Sequence, residues 1–112
     1  VSPAEVLEAA ADLIESRGWC QGRYAAIAVD GGSCGHLHPE ATCWCAEGAI
    51  GRVAGLTLWA LWQLDGRCGA LAAMRDYLGR SVVTWNDEKG RTAEEVAREL
   101  RACAAKLRGG AQ

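Results

Sequence analysis

Residues 43–64 read CWCAEGAIGRVAGLTLWALWQL, and the fold turns on how that stretch is taken. From Ile50 to Leu64 only Arg52, Thr57 and Gln63 are clearly polar. A helix with that pattern is apolar on nearly every side and has to be buried on most of its faces. A membrane span needs about 20 predominantly apolar residues, and Glu47 and Arg52 interrupt any such window. Gly51 and Gly55 form a GxxxG spacing, with Gly48 and Ala54 beside them, so a neighbouring helix can approach the first half closely. Leu56, Trp59 and Trp62 widen the second half. The expectation is one central helix, narrow at its start and bulky at its end, with others packed round it.

Upstream, Ser2-Pro3-Ala4-Glu5 is a capping box with proline at the first helical position. Val6, Ala10, Leu13 and Ile14 repeat at helical spacing behind it, Gly18 is the stop, and Trp19 reads as an anchor on the core. Residues 20–42 are the least regular part. Cys20-Gln21-Gly22 reads as a turn, residues 24–29 fit either a short strand or a helical turn, and Asp30-Gly31-Gly32-Ser33 is loop. Thr42 is the expected N-cap of the central helix, which puts Cys43 and Cys45 in its first turn.

Downstream, Asp65-Gly66 breaks the pattern. Residues 68–78 support a further helix with Leu71, Met74 and Leu78 on one side and Gly79 as its stop. Residues 81–85 are β-branched and read as an extended link or small strand, and residues 86–90 as a turn. Thr92-Ala93-Glu94-Glu95 is a second capping box, followed by a stripe of Val96, Leu100, Cys103 and Leu107. The last two residues are expected to fray. The reading is all-α: a single domain over residues 1–112, a bundle of about four helices (near 3–17, 43–64, 68–78 and 93–107). It has one long irregular connection and room for a short strand pair.

A chain of 112 residues is enough for one core. With 50% hydrophobic and 23% charged residues it is neither disordered nor fibrous. A net charge of −2 lacks the basic balance of a nucleic-acid binder. The N-terminus opens directly into an amphipathic helix, so no targeting segment is visible. Six cysteines would suggest three bridges in a secreted chain. Cys45, Cys68 and Cys103 lie in apolar helical contexts, where free cysteine behaves as a small hydrophobe, which favours reduced thiols and a cytoplasmic location.

Four constellations bear on chemistry. Cys34, His36, His38 and Cys43, with Cys45 beyond them, place five soft ligands within twelve residues. Zinc takes such groups in tetrahedral sets, although the spacing departs from the usual paired-cysteine and paired-histidine patterns. Solvated histidines beside partly buried thiols are the plain alternative. Cys45, or Cys43, is a candidate nucleophile, because a helix N-terminus lowers a thiol pKa. Gln21 would then donate to an oxyanion, a loop histidine would act as base, and Asn86 or Asp87 would orient it. That arrangement superficially resembles papain-type proteases, yet both histidines precede the cysteine here, and a packed cysteine is the alternative. Trp85-Asn86-Asp87, with Trp19 and Gln21, suits a loop that grips a polar ligand or a partner backbone, or else a core plug beside a turn-fixing amide. Arg98, Arg101, Lys106 and Arg108 read as a solvated face that complements the last helix's dipole.

Three groups of residues in order carry a family resemblance: Arg17-Gly18-Trp19 with Gln21-Gly22, Cys43-Trp44-Cys45 with Gly48-Ala49-Ile50, and Trp85-Asn86-Asp87 with Gly90-Arg91-Thr92 and Glu94-Glu95-Val96. Over nearly the whole chain they resemble a family of small uncharacterised actinobacterial and actinophage proteins, known as a domain of unknown function. The resemblance implies an intracellular origin in such organisms and no activity to carry over. It also implies that Cys45 is the recurring cysteine, while Cys20, Cys34, His36 and His38 fall where the family varies. No catalytic set is complete, so the expected function is a protein-binding regulatory or accessory module, for which self-association is compatible. The alternatives are a cysteine-dependent enzyme centred on Cys45 and a zinc-binding protein using the segment from Cys34 to Cys45.

Overall fold

The computed structural model describes residues 2–27, 32–63 and 69–110. The expected loop at Asp30-Gly31, the break at Asp65-Gly66, Cys68 and the two C-terminal residues lie outside the described residues.

Helix α1 spans Pro3–Ser16 and begins as its sequence dictates. Glu5 N donates to Ser2 Oγ at 3.1 Å, and Ser2 N donates back to Glu5 Oε1 at 3.0 Å. Such a box satisfies two backbone donors that a helix start otherwise leaves unpaired. Leu7, Ala10, Ala11 and Ile14 form its buried face.

A small sheet overturns the all-α expectation. Strands β1 (Ala25–Ile27), β2 (Ser33–Cys34) and β3 (Ala41–Trp44) pair antiparallel in the order β2-β1-β3. Ala25 pairs with Cys34 on one side and Trp44 on the other, and Ala26 pairs with Cys43. The register shifts after Ala26, so Ile27 meets Ala41. Residues 18–20 run along the free side of β3. Trp44 N donates to Gly18 O and Cys20 N donates to Trp44 O, both at 3.2 Å, a parallel bridge centred on Trp19 and Trp44.

Trp44 shows why this segment is extended. It stands opposite Ala25 of β1 on one side while its N–H and C=O are both bonded to residues 18–20 on the other, and its ring is fully buried. The indole N–H donates to His36 O at 3.0 Å. The guanidinium groups of Arg17 and Arg52 lie 5.4 and 5.5 Å from the ring centroid, within cation–π range.

The expected helix over 43–64 is therefore three elements. Cys43 belongs to β3, and Cys45, not Thr42, is the N-cap of α2 (Ala46–Ala54). Gly55 closes α2 in the left-handed region at φ 71°, a conformation that glycine adopts without steric cost. Helix α3 (Leu58–Gln63) then restarts, with Thr57 Oγ1 accepting from Ala60 N at 3.1 Å. The small residues of α2 do admit close neighbours, but of a different kind from the helix expected. A Cβ on Gly48 would stand 2.2 Å from Tyr24 O, and one on Gly51 would stand 2.7 Å from His36 Nε2.

Helix α4 (Ala70–Leu78) ends at Gly79 as read. Residues 82–86 are a short helix, α5 (Val82–Asn86), where an extended link was expected. Ser81 caps it by accepting from Thr84 N, and buried Val82 and Trp85 hold it to the core, so packing outweighs β-branched propensity. Helix α6 (Ala93–Gly110) starts from the second capping box, Glu95 N to Thr92 Oγ1 at 3.1 Å, and runs past the expected end at 107.

α1 lies along α6 and against α2, with α4 packed on both α1 and α6. Leu7, Ile14, Ile50, Met74, Val96 and Leu100 share one apolar cluster with Trp44 of the sheet. The architecture is mixed, helices around a small antiparallel sheet. Among the described residues no helix is long and apolar enough to cross a membrane.

Candidate functional site

The three motif segments meet at Asn86. This residue ends α5 and is fully buried. Its Oδ1 accepts from the Trp19 indole N–H at 2.7 Å and from Ala46 N at 2.9 Å. Its Nδ2 donates to Cys20 O at 3.2 Å and to Asp87 Oδ1 at 2.9 Å. A side-chain amide offers two donors and two acceptor positions, and all four are used. Gln21 Nε2 donates to Asn86 O at 3.0 Å and to Glu88 O at 2.9 Å, while Gly22 N donates to Asp87 Oδ1 at 3.0 Å. Trp85 is almost fully buried; its carbonyl accepts from Arg91 Nε at 3.0 Å, and the Arg91 guanidinium lies 4.2 Å from its ring centroid. Trp19, Gln21, Trp85, Asn86 and Asp87 are thus brought together, as a joint tying residues 19–22 and the start of α2 to the end of α5.

Cys45 sits beside this joint with its thiol accepting from Gly48 N at 3.3 Å. Two influences on that thiol oppose one another. Removal from water pushes its pKa up, while the Gly48 and Glu47 backbone N–H groups pull it down. Desolvation wins, and the value rises to about 12. The expected lowering at a helix N-terminus is present but is the smaller effect, so Cys45 is a protonated thiol at neutral pH. A cavity of about 110 Å³ reaches it, lined by Gly22, Arg23, Tyr24, Val83 and Asp87. The loop histidines are engaged elsewhere. His36 is buried with Nε2 2.5 Å from Leu56 O, and His38 Nδ1 accepts from Glu40 N at 3.0 Å.

Those contacts also bear on the zinc expectation. Cys34 pairs opposite Ala25 and Cys43 opposite Ala26, so the two fall on opposite faces of the sheet. With His36 and His38 turned to backbone partners, the four candidate ligands Cys34, His36, His38 and Cys43 are not brought together. Among the described residues no group of three or more His, Cys, Asp or Glu side chains is placed to hold a metal ion.

Three features went unread in the sequence. Arg52 clamps the histidine loop, donating to His36 O at 3.2 Å and His38 O at 2.8 Å while covering Trp44. The bridge between residues 18–20 and β3 sets Cys20 opposite Cys45. Third, Trp59 and Trp62, expected to widen a buried helix, are 70% and 52% exposed. Trp62 is steadied by donating to the buried Glu47 Oε2 at 2.9 Å. Gly55 was the available signal for the last of these, since a left-handed stop there releases α3 from the line of α2.

The model of a family described as Family of unknown function (DUF6197) matches residues 1–106. No curated protein and no solved structure matches the chain.

Proposed function

The chain belongs to the Family of unknown function (DUF6197), and from that premise we propose that it is a regulatory or accessory module that binds another protein through the face carrying Trp59 and Trp62. The observation that carries this reading is the exposure of those two rings, 70% and 52%, on a short helix fixed to α2 by the bond from Trp62 to Glu47. Leu37, 39% exposed, lines a shallow apolar hollow together with Thr57, the residue that caps α3. Tryptophan is enriched in interface cores, where it supplies a large apolar area with few torsions to fix. The joint at Asn86 is then scaffold, holding α2 and with it α3 in place.

Two companion expectations belong to the same proposal. A reducing, cytoplasmic setting is supported by the free thiols of Cys20, Cys34, Cys43, Cys45 and Cys103. An actinobacterial or phage origin is supported by ten arginines against two lysines, the bias of a GC-rich genome. The Cys45 enzyme and the zinc protein lack comparable support, given the protonated buried thiol and the dispersed ligands.

The test compares immobilised protein with its Trp59→Ala/Trp62→Ala variant against lysate of the source cells, with circular dichroism confirming that both are folded. The wild type is expected to retain a defined partner. The variant is expected to bind that purified partner at least about thirtyfold more weakly, the loss of one interface hot spot. Equal affinity of the two would overturn the assignment of the face.

A further inference from the structure

We propose that the groove between α4 and α6 binds a medium-chain fatty acid, its carboxylate on Lys106 and its tail along the alanines of α4. No residue described in this groove belongs to the face assigned to Trp59 and Trp62, so the two sites stand or fall separately.

The sequence explains why the groove is open. Where α4 faces α6 it carries Ala72 and Ala73, and α6 answers with Cys103 and Leu107, which leaves a space of about 670 Å³. Sites for small ligands usually measure about 300–1,000 Å³. Burial pushes the Cys103 thiol pKa up, so the floor is uncharged at neutral pH. Tyr77 Oη donates to Glu99 Oε1 at 2.7 Å at one end, and Gly69 and Leu107 share the lining at the other, so the helices run antiparallel. The Gly69 end abuts α1, for a Cβ on Gly69 would stand 3.2 Å from Pro3 Cγ. From there to Tyr77 is about 12 Å at the rise of an α-helix, the reach of an extended decanoate chain.

The charges around the groove decide the head group. Lys106 reaches back along α6 until its Nζ lies 5.9 Å from the Tyr77 ring centroid. That is the outer limit of cation–π attraction, so the ring holds the ammonium only weakly. The Glu99 carboxylate is already met by the Tyr77 hydroxyl and by Arg98 Nε at 3.6 Å. Asp76, the other charge in the described lining, is exposed, where water and salt screen its repulsion of an anion. An ammonium at one end of an apolar trough complements a carboxylate followed by an aliphatic tail. An alkylammonium of the same length would meet Lys106 with like charge.

The experiment titrates the full chain calorimetrically with sodium decanoate below its micelle concentration and reads native mass spectra of the same mixtures. One decanoate per chain is expected, with affinity rising from hexanoate through octanoate to decanoate by up to about fourfold per buried methylene. Lys106→Gln is expected to weaken decanoate about fivefold, the upper range for an exposed ion pair, and Asp76→Asn to bind at least as tightly as wild type. Ala72→Leu, which fills the floor, is expected to abolish uptake. No uptake by wild type, decylammonium bound as tightly as decanoate, or equal affinity of Lys106→Gln and wild type would each overturn the proposal. A dimer that excludes decanoate would also overturn it, giving the groove to a second copy of the chain. Lys106 is exposed, so its variant decides the matter even where Ala72→Leu folds poorly.

Discussion

Asn86 is a residue whose role is set by saturation. The Trp19 indole and the first N–H of α2 both end on its Oδ1, and neither donor has a second partner described. Asn86→Ala leaves the buried Ala46 N–H unpaired together with the half-buried Trp19 indole N–H and Cys20 carbonyl, and an orphaned buried group costs about 1–3 kcal/mol. The expected loss is about 3 kcal/mol or more, read as a fall in the urea midpoint at unchanged slope. Cys45 makes the complementary point. Its position at a helix N-terminus was legible in the spacing, but its burial was not, and burial decides the sign of its pKa shift. The identities of the joint were legible in the same partial way. Trp19, Gln21, Trp85, Asn86 and Asp87 stand out as residue types, yet Trp19 and Asn86 are 67 positions apart, and no local pattern reports a bond over that distance.

Among the elements, legibility follows the range of the forces involved. Helices α1 and α6 start where read, because Ser2 with Glu5 and Thr92 with Glu95 close their boxes within a single turn. Strand β3 escaped because what makes it a strand lies elsewhere, in residues 18–20 on one side and β1 on the other. A four-residue apolar segment reads equally well as the start of a buried helix. Glycines of similar local appearance likewise differ by what stands opposite them. At Gly48 an added methyl would meet the Tyr24 carbonyl at 2.2 Å, whereas at Gly109 it meets nothing within 4 Å. Gly48→Ala is therefore expected to cost about 1–3 kcal/mol or more through forced backbone movement. Gly109→Ala, in the last turn of α6, is expected to be neutral or to stabilise by up to about 1 kcal/mol. Thermal unfolding of the two variants side by side checks the contrast.

Across the whole molecule, the pairing of α1 with α6 joins the two ends of the chain, and two kinds of contact hold it. Arg101 bonds Asp12 at 2.7 Å and Glu15 at 2.6 Å, and Arg108 bonds Glu8, all on the exposed rim. Beneath them Leu100 is fully buried in the common cluster. Exposed ion pairs contribute about 0–1 kcal/mol, whereas truncating a buried leucine costs about 2–5 kcal/mol. Arg101→Gln is thus expected to shift the unfolding midpoint little and Leu100→Ala to lower it strongly; comparable losses would show that charge, not apolar contact, holds the termini together. The small sheet has its own consequence at this scale. Residues 18–20 cover the outer side of β3, and β2, at the other border, is two residues long. An incoming strand from another molecule finds almost no template to copy there, which guards the described sheet against the edge-to-edge aggregation that longer open strands invite.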